Sequence, residues 1–372
     1  PQPRLSLEAE RLSDGRILVR QLDATGQGLD LDARGGRSLL GGLNVRGTAR
    51  LSNLAEARAG ASGAVNLTWS AERGRREGPW RLRLDGRGAD LGTGYAQLDR
   101  LLGETPQFRA EAEYAQSRLA LQEARLDGRA FEAEAAGVYG SGGDLRFKVD
   151  WSAEGPLQAG PAEFQGAAEG TGALTGTVSA PKLDLTARFD EIDLPRLPLR
   201  DAVFTLSFGR SQAAGAAGQV NLVAESQYGP ARGRADFALP DTGVDLRQID
   251  VEAGGVELEG ALSLRRATPS RADLRLAIGP GAVLSRGSIN GEVRIVDGAE
   301  APVADLALRI RDAVPVGSEL AIVAGRLTAK GPIDQLAYEL SASGGYGGER
   351  WDVTGGGALA EAEGRPPRFE GR

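Results

Sequence analysis

The sequence predicts an all-β protein with one short amphipathic helix near 93–103. We expect an elongated, folded-over antiparallel sheet, one face of which is apolar and lines a groove. Three observations predict it. Apolar and polar residues alternate in short runs, as on a strand with one buried face. Turn-forming pairs separate the runs. Aromatic residues make up only 5% and Met is absent, so bulky side chains to fill a sandwich core are scarce.

The alternating runs supply the residues that we expect to line the groove. In the first run, Leu5 and Leu7 alternate with Ser6 and Glu8. The competing interpretation is an ordinary filled β core. The predicted lining residues are Leu5, Leu7, Trp80, Leu82, Leu84, Phe147, Val149, Trp151, Leu183, Leu185, Phe189, Phe204, Leu206, Phe208, Val256, Leu258, Leu262, Leu264, Leu274, Leu276, Ile278, Val293, Ile295, Leu306, Leu308, Ile310, Leu336, Tyr338, Leu340, Trp351 and Val353.

One segment departs from the strand pattern. Tyr95, Leu98, Leu101 and Leu102 fall at helical spacing. Gly103 followed by Pro106 is expected to end the helix. We expect this short helix to cap the sheet.

Asp-Gly and Asn-Gly pairs mark the expected hairpin turns. They occur at Asp14-Gly15, Asp85-Gly86, Asp127-Gly128, Asp297-Gly298 and Asn290-Gly291. At about twelve residues per strand and turn, the chain would form roughly thirty strands.

The chain is expected to be a single segment over residues 1–372, because no composition shift marks a domain boundary. Bends are predicted near 93–106 and 155–181, where the helix and a Gly-rich stretch interrupt the pattern. The chain starts with Pro1, contains no Met and has no run of 18 apolar residues. We therefore expect an internal piece of a longer protein, with any membrane anchor outside it.

Several function classes are excluded by composition. Without His and Cys there is no Ser-His-Asp triad, Cys-His pair, zinc finger or iron–sulfur site. The net charge of −7 argues against a nucleic-acid partner. The acidic cluster of Asp190, Glu191 and Asp193 leaves a carbohydrate-active enzyme as a weaker hypothesis. We predict no enzyme activity, no catalytic residue, no metal and no cofactor.

Three stretches resemble the TamB family, the periplasmic subunits of the translocation and assembly module. They are Gly176–Arg188 (GTVSAPKLDLTAR), Asp193–Leu199 (DLPRLPL) and Gly331–Leu340 (GPIDQLAYEL). The family belongs to the AsmA-like, bridge-like lipid transfer proteins of Gram-negative envelopes. The resemblance implies a U-shaped sheet, the "β-taco" fold, with an apolar interior. It also implies phospholipid transport and a role in outer-membrane biogenesis.

The resemblance also implies a location and partners. The family is periplasmic, is anchored in the inner membrane by an N-terminal helix and contacts an outer-membrane BamA-type barrel through its C-terminal domain. Neither of those parts is recognised here, so both contacts are expected outside this piece.

The predicted function is a lipid conduit, in which the oily groove carries phospholipid acyl chains between the two membranes. The alternative is a structural or adhesive β-solenoid, similar to an autotransporter passenger, with a closed core. The cross-section of the sheet separates them, because the conduit needs an unfilled interior.

Overall fold

The computed structural model describes residues 4–26, 28–57, 60–159, 162–211, 215–265, 268–298, 301–333, 335–362 and 365–371. These residues form 25 β-strands and two short helices, so the predicted all-β fold class is confirmed. The strands belong to one antiparallel sheet that is not closed into a barrel.

The elements are, in chain order, β1 (Arg4–Arg11), β2 (Ile17–Gly26), β3 (Leu29–Arg37), β4 (Leu43–Leu51), α1 (Leu54–Ala57), β5 (Ser62–Arg73), β6 (Trp80–Gly92), α2 (Ala96–Leu102), β7 (Gln107–Ala115), β8 (Arg118–Asp127), β9 (Phe131–Tyr139), β10 (Asp144–Glu154), β11 (Leu157–Ala159), β12 (Ala162–Thr177), β13 (Ala180–Asp193), β14 (Leu199–Ser211), β15 (Gly215–Ser226), β16 (Gly229–Leu239), β17 (Gly243–Ala253), β18 (Val256–Arg265), β19 (Thr268–Ile278), β20 (Leu284–Val296), β21 (Val303–Pro315), β22 (Ala321–Pro332), β23 (Gln335–Tyr346), β24 (Glu349–Ala362) and β25 (Arg365–Gly371). They are fewer than the thirty strands expected, because several strands run to 13 residues or more.

The chain divides into two compact units. The first comprises Pro1–Ala159 with Phe164–Ala187, and the second comprises Gly160–Glu163 with Arg188–Arg372. In the first unit successive strands pair from β1 to β10, and β10 also pairs with β12. In the second unit successive strands pair from β14 to β25. The single segment and its bends stay predictions, and residues 160 and 161 of the 155–181 bend lie outside the described part.

The predicted helix is confirmed as α2, which lies inside the expected bounds. The C-cap Gly103 donates its N–H to the Asp99 carbonyl at 2.9 Å. The carbonyls of Leu101 and Leu102 accept hydrogen bonds from the turn between β8 and β9, at 2.9 and 3.0 Å. The helix is therefore fastened to a neighbouring hairpin. The four-residue α1 was not predicted.

β-Bulges keep the two faces of the sheet distinct where the sequence breaks its alternation. In β2, two polar residues separate Val19 from Leu22, yet Val19 pairs with Gly35 and Leu22 with Ala33. The bulge absorbs the extra residue, so both apolar side chains stay on one face. The same device occurs between Leu121 and Ala124 in β8, and between Leu246 and Ile249 in β17.

The predicted turns at Asp85-Gly86 and Asn290-Gly291 are wrong, because both pairs lie inside strands, β6 and β20. Gly86 stands directly opposite Phe108, whose ring comes within 2.0 Å of the place where a Cβ on residue 86 would lie. Glycine is needed there to make room for a ring, not to turn the chain. Asp14-Gly15 and Asp127-Gly128 do lie at turns, as predicted.

Aromatic rings that pack over a glycine of the neighbouring strand recur along the sheet. Rings approach the Cβ position of a cross-strand glycine in four further pairs: Phe147 with Gly137 (2.6 Å), Trp151 with Gly170 (2.4 Å), Phe237 with Gly218 (2.6 Å) and Trp351 with Gly344 (2.5 Å). Each ring leans across the neighbouring strand and covers its backbone.

Replacing Gly86 with Ala is expected to lower the free energy of unfolding by about 1–3 kcal/mol, because the new methyl group overlaps the Phe108 ring. Gly233→Ala is the matched control. Gly233 is also inside a strand, but its nearest neighbours lie 3.9 and 4.0 Å from the Cβ position, so this change should be neutral or stabilising. Urea denaturation of both variants measures the difference. Equal effects would show that the ring does not occupy the glycine.

Asp99 should give α2 a pH-dependent anchor. Its Oδ1 accepts hydrogen bonds from the Thr93 backbone N–H and, at 2.7 Å, from the Thr93 hydroxyl. The backbone hydrogen bond from Thr93 lowers the pKa of Asp99. A lowered pKa means that the carboxylate stabilises the fold above about pH 4 and that this contribution is lost as the pH falls below that value.

We therefore expect Asp99→Asn to lower Tm at pH 7, with the gap to the unmodified chain closing toward about pH 3. Thermal melting followed by circular dichroism measures both values. Asp30→Asn, on an exposed strand position, is the control and should leave Tm unchanged. A gap of the same size at both pH values would contradict the anchor.

Candidate functional site

The strand registers show which side chains share a face, since residues directly opposite each other in antiparallel strands lie on the same side of a sheet. In the first unit three neighbouring rows, each crossing eleven strands, contain only apolar residues and glycine. The rows are Leu5, Ala24, Leu31, Ala49, Leu67, Gly86, Phe108, Leu126, Ala133, Trp151 and Gly170; Leu7, Leu22, Ala33, Gly47, Trp69, Leu84, Ala110, Ala124, Ala135, Val149 and Gly172; and Ala9, Val19, Gly35, Val45, Ala71, Leu82, Ala112, Leu121, Gly137, Phe147 and Leu174.

The second unit has an apolar face of the same kind. One row crosses its strands from β14 to β24, and two more cross from β17 to β24, with Tyr338 as their single polar group. The rows are Phe204, Leu222, Gly233, Val251, Leu258, Leu276, Gly291, Leu308, Leu327, Leu340 and Gly355; Ile249, Gly260, Leu274, Val293, Leu306, Ala329, Tyr338 and Gly357; and Ala253, Val256, Ile278, Ile289, Ile310, Gly325, Ala342 and Val353.

The opposite face of the sheet, here called the wet face, is polar and exposed to solvent. Ion pairs join its neighbouring strands. Arg109 Nε lies 2.7 Å from Asp85 Oδ1, and Arg125 Nη1 lies 2.7 Å from Glu134 Oε1. The hydrogen bond to Asp85 raises the pKa of the Arg109 guanidinium. Exposed pairs such as these contribute little stability, so they mark the solvated face rather than hold the sheet together.

The apolar faces are not filled by a second layer of large side chains. None of the predicted lining residues is buried: Leu5 is 74% exposed, Leu7 62%, Val353 47% and Leu340 36%, and the others are half-buried. Of the sixteen buried apolar residues in the described part, thirteen are alanines.

All the predicted lining residues lie in strands, and the registers bring most of those in β1, β6, β10 and β18–β24 into shared rows. Leu185 of β13 lies 3.5 Å from the Cβ position of Gly172, a member of an apolar row. Whether these residues hold lipid stays a prediction.

Sequence reasoning missed several members of the apolar faces. Some of them follow a β-bulge, which interrupts the alternation of apolar and polar residues in the sequence. Others lie opposite alanine or glycine on the neighbouring strand. For the residues that follow a bulge, two consecutive polar residues in the sequence indicated the bulge. The missed residues include Leu22, Trp69, Phe108, Leu121, Leu126, Leu222, Phe237, Leu246, Ile289 and Leu327.

Three further clefts among the described residues are open to solvent and are lined by polar and apolar surface in similar amounts. One cleft of about 590 Å³ lies at the hairpin tips of β3–β4 and β5–β6, and two of about 330 and 560 Å³ lie against β18–β21 and β21–β24. Within the described ranges no group of acidic side chains could hold a metal ion. No described helix is long and apolar enough to cross a membrane. The apolar faces are therefore the candidate site.

No protein-family model, curated protein or solved structure matches this chain. What the site does must therefore be argued from its own geometry and chemistry.

Truncating the apolar face should cost much less than truncating the buried core. We expect Leu199→Ala, at a side chain only 2% exposed, to lower the free energy of unfolding by about 2–5 kcal/mol. Leu276→Ala, in the middle of an apolar row and half-buried, should cost about 1 kcal/mol or less. Urea denaturation compares them. Equal costs would mean that the face is covered and packed.

Proposed function

We propose that this chain is a segment of a periplasmic lipid conduit, in which the apolar faces of the sheet hold the acyl chains of phospholipids. The single observation that carries the proposal is the set of unbroken apolar rows whose large side chains stay partly exposed. A soluble protein rarely leaves so large a contiguous apolar surface uncovered unless something apolar binds there.

The energy that such a face supplies is large. A 16-carbon acyl chain has about 14 methylene groups, and transferring each one to water costs about 0.8 kcal/mol. Carrying one chain through water therefore costs on the order of 11 kcal/mol, and two chains double that. Contact with a continuous apolar face removes much of this cost.

The composition of the rows favours sliding over tight binding. Their members are aliphatic side chains, alanine and glycine, with rings that lean against the sheet. Specific ligand sites place a few polar groups to fix orientation, whereas the polar side-chain groups of the first unit's rows are limited to the indole N–H groups of Trp69 and Trp151. An acyl chain on such a surface finds many similar positions along it.

The resemblance to the TamB family supports the cellular part of the proposal. The complete protein would be anchored in the inner membrane, span part of the periplasm and contact an outer-membrane BamA-type barrel. In that setting the conduit supplies phospholipid for outer-membrane biogenesis and supports protein assembly there.

The proposal is tested with a pair of neighbouring substitutions that introduce the same charge on opposite faces. Leu206 is half-buried and lies opposite Val220, whereas Ser207 is exposed and lies opposite Gln219. We expect Leu206→Asp to reduce bound phospholipid about tenfold or more, since an unpaired carboxylate is costly in an apolar contact. Ser207→Asp should leave it unchanged.

The measurement is phospholipid per chain, by native mass spectrometry and lipid extraction of protein purified from the cell envelope. Transfer of a fluorescent phospholipid between vesicles is the second readout. Absence of lipid from the unmodified chain, or equal loss in both variants, would contradict the conduit. Absence of lipid together with a closed, packed core would favour the structural or adhesive β-solenoid.

A further inference from the structure

The apolar face of the first unit ends, toward the hairpin tips, in a row of different chemistry. This row, here called the rim, lies two residues beyond the last of the three apolar rows. It consists of Arg11, Ile17, Arg37, Leu43, Arg73, Trp80, Tyr114, Leu119, Tyr139 and Leu145, from β1 to β10.

The rim alternates strand by strand. Strands β1, β3 and β5 contribute Arg11, Arg37 and Arg73, and the strands between them contribute Ile17 and Leu43. Neighbouring strands are about 4.8 Å apart, so the three arginines repeat at about 10 Å along the rim. They stand on the same side of the sheet as the apolar rows, and the nearest row is about 7 Å away along each strand.

Among the described residues, the rim arginines lack an acidic partner. In the part of the chain that the structure describes, no carboxylate forms an ion pair with Arg11, Arg37 or Arg73. Elsewhere on this sheet arginines such as Arg109 and Arg125 are paired with acids. Other unpaired arginines, such as Arg34 and Arg46, lie on the opposite face, whereas the rim arginines lie on the side of the apolar rows.

The Arg73 side chain is held in place by a ring contact, and one of its hydrogen-bond donors has no acceptor. Its guanidinium carbon lies 4.8 Å from the centroid of the Trp80 ring, which fixes the side chain by a cation–π contact. Its Nε is buried without a hydrogen-bond acceptor.

We propose that Arg11, Arg37 and Arg73 bind the phosphate groups of phospholipids whose acyl chains lie on the adjacent apolar rows. Guanidinium groups bind phosphate oxygens with paired, charge-assisted hydrogen bonds. A phospholipid has the matching layout, because its phosphate is joined to the acyl chains through a short glycerol unit. The rim continues with Trp80, Tyr114 and Tyr139, residue types that prefer the level of lipid headgroups. The inference rests on the proposed function and adds a headgroup preference to it.

The test compares two lipids with the same short chains, dioctanoyl phosphatidylglycerol and dioctanoylglycerol, which lacks the phosphate. Binding to the 372-residue chain is measured by calorimetry, with inorganic phosphate as a third ligand. We expect the unmodified chain to prefer the phospholipid about tenfold. Replacing Arg11, Arg37 and Arg73 with Gln should abolish this preference and leave dioctanoylglycerol binding unchanged.

The matched control replaces Arg34, Arg46 and Arg50 with Gln, three exposed arginines on the wet face of β3 and β4. It should keep the preference. Because Arg73 packs on Trp80, the exposed pair Arg11→Gln and Arg37→Gln is tested alone as well, and it should lower the preference with Tm unchanged.

Four results would overturn the headgroup site: equal binding of both lipids to the unmodified chain, an unchanged preference in the rim variants, an equal loss in the control, or inorganic phosphate binding as tightly as the phospholipid. The last result would identify a site for soluble anions. Failure of both lipids to bind would overturn the lipid conduit together with the headgroup site.

Discussion

Everything in this structure depends on keeping the two sides of the sheet distinct from strand to strand. A strand whose pairing slips by one residue turns its apolar side chains to water. The sequence contains breaks that would cause such a slip, as between Val19 and Leu22 or between Leu246 and Ile249. A β-bulge at each of these breaks returns the apolar side chains that follow it to the apolar face. The apolar rows in each unit exist because these corrections are built into the chain.

A second constraint explains why the apolar faces stay uncovered. The buried positions are held mainly by alanine, and rings such as Phe108 and Trp151 lean onto glycines of the next strand. The sheet therefore gains packing contacts within its own surface instead of against a second layer. Large side chains such as Leu276 are left partly exposed to solvent.

Much of the fold could be predicted from the sequence, because side-chain alternation reports directly on which face each residue occupies. The strands around Trp80 and Leu274 and the helix ending at Leu102 were found in this way. The turn assignments at Gly86 and Gly291 failed, since a glycine inside a strand has the same sequence signature as a glycine that turns the chain. Gly86 makes room for the Phe108 ring, whereas the Cβ position of Gly291 has only ordinary contacts. The rim of the first unit could not be predicted, because Arg11, Arg37 and Arg73 are aligned only by strand register.

Pairing between successive strands has a consequence for how the molecule is assembled and how it tolerates damage. Each new strand closes only the short loop that joins it to the strand before, so the entropy lost at each step is small. Growth can begin at any hairpin and proceed outward, as in repeat proteins with nearest-neighbour energetics. A faulty strand then disturbs the two beside it, and the length of such a sheet can change by whole hairpins without redesign of the remainder.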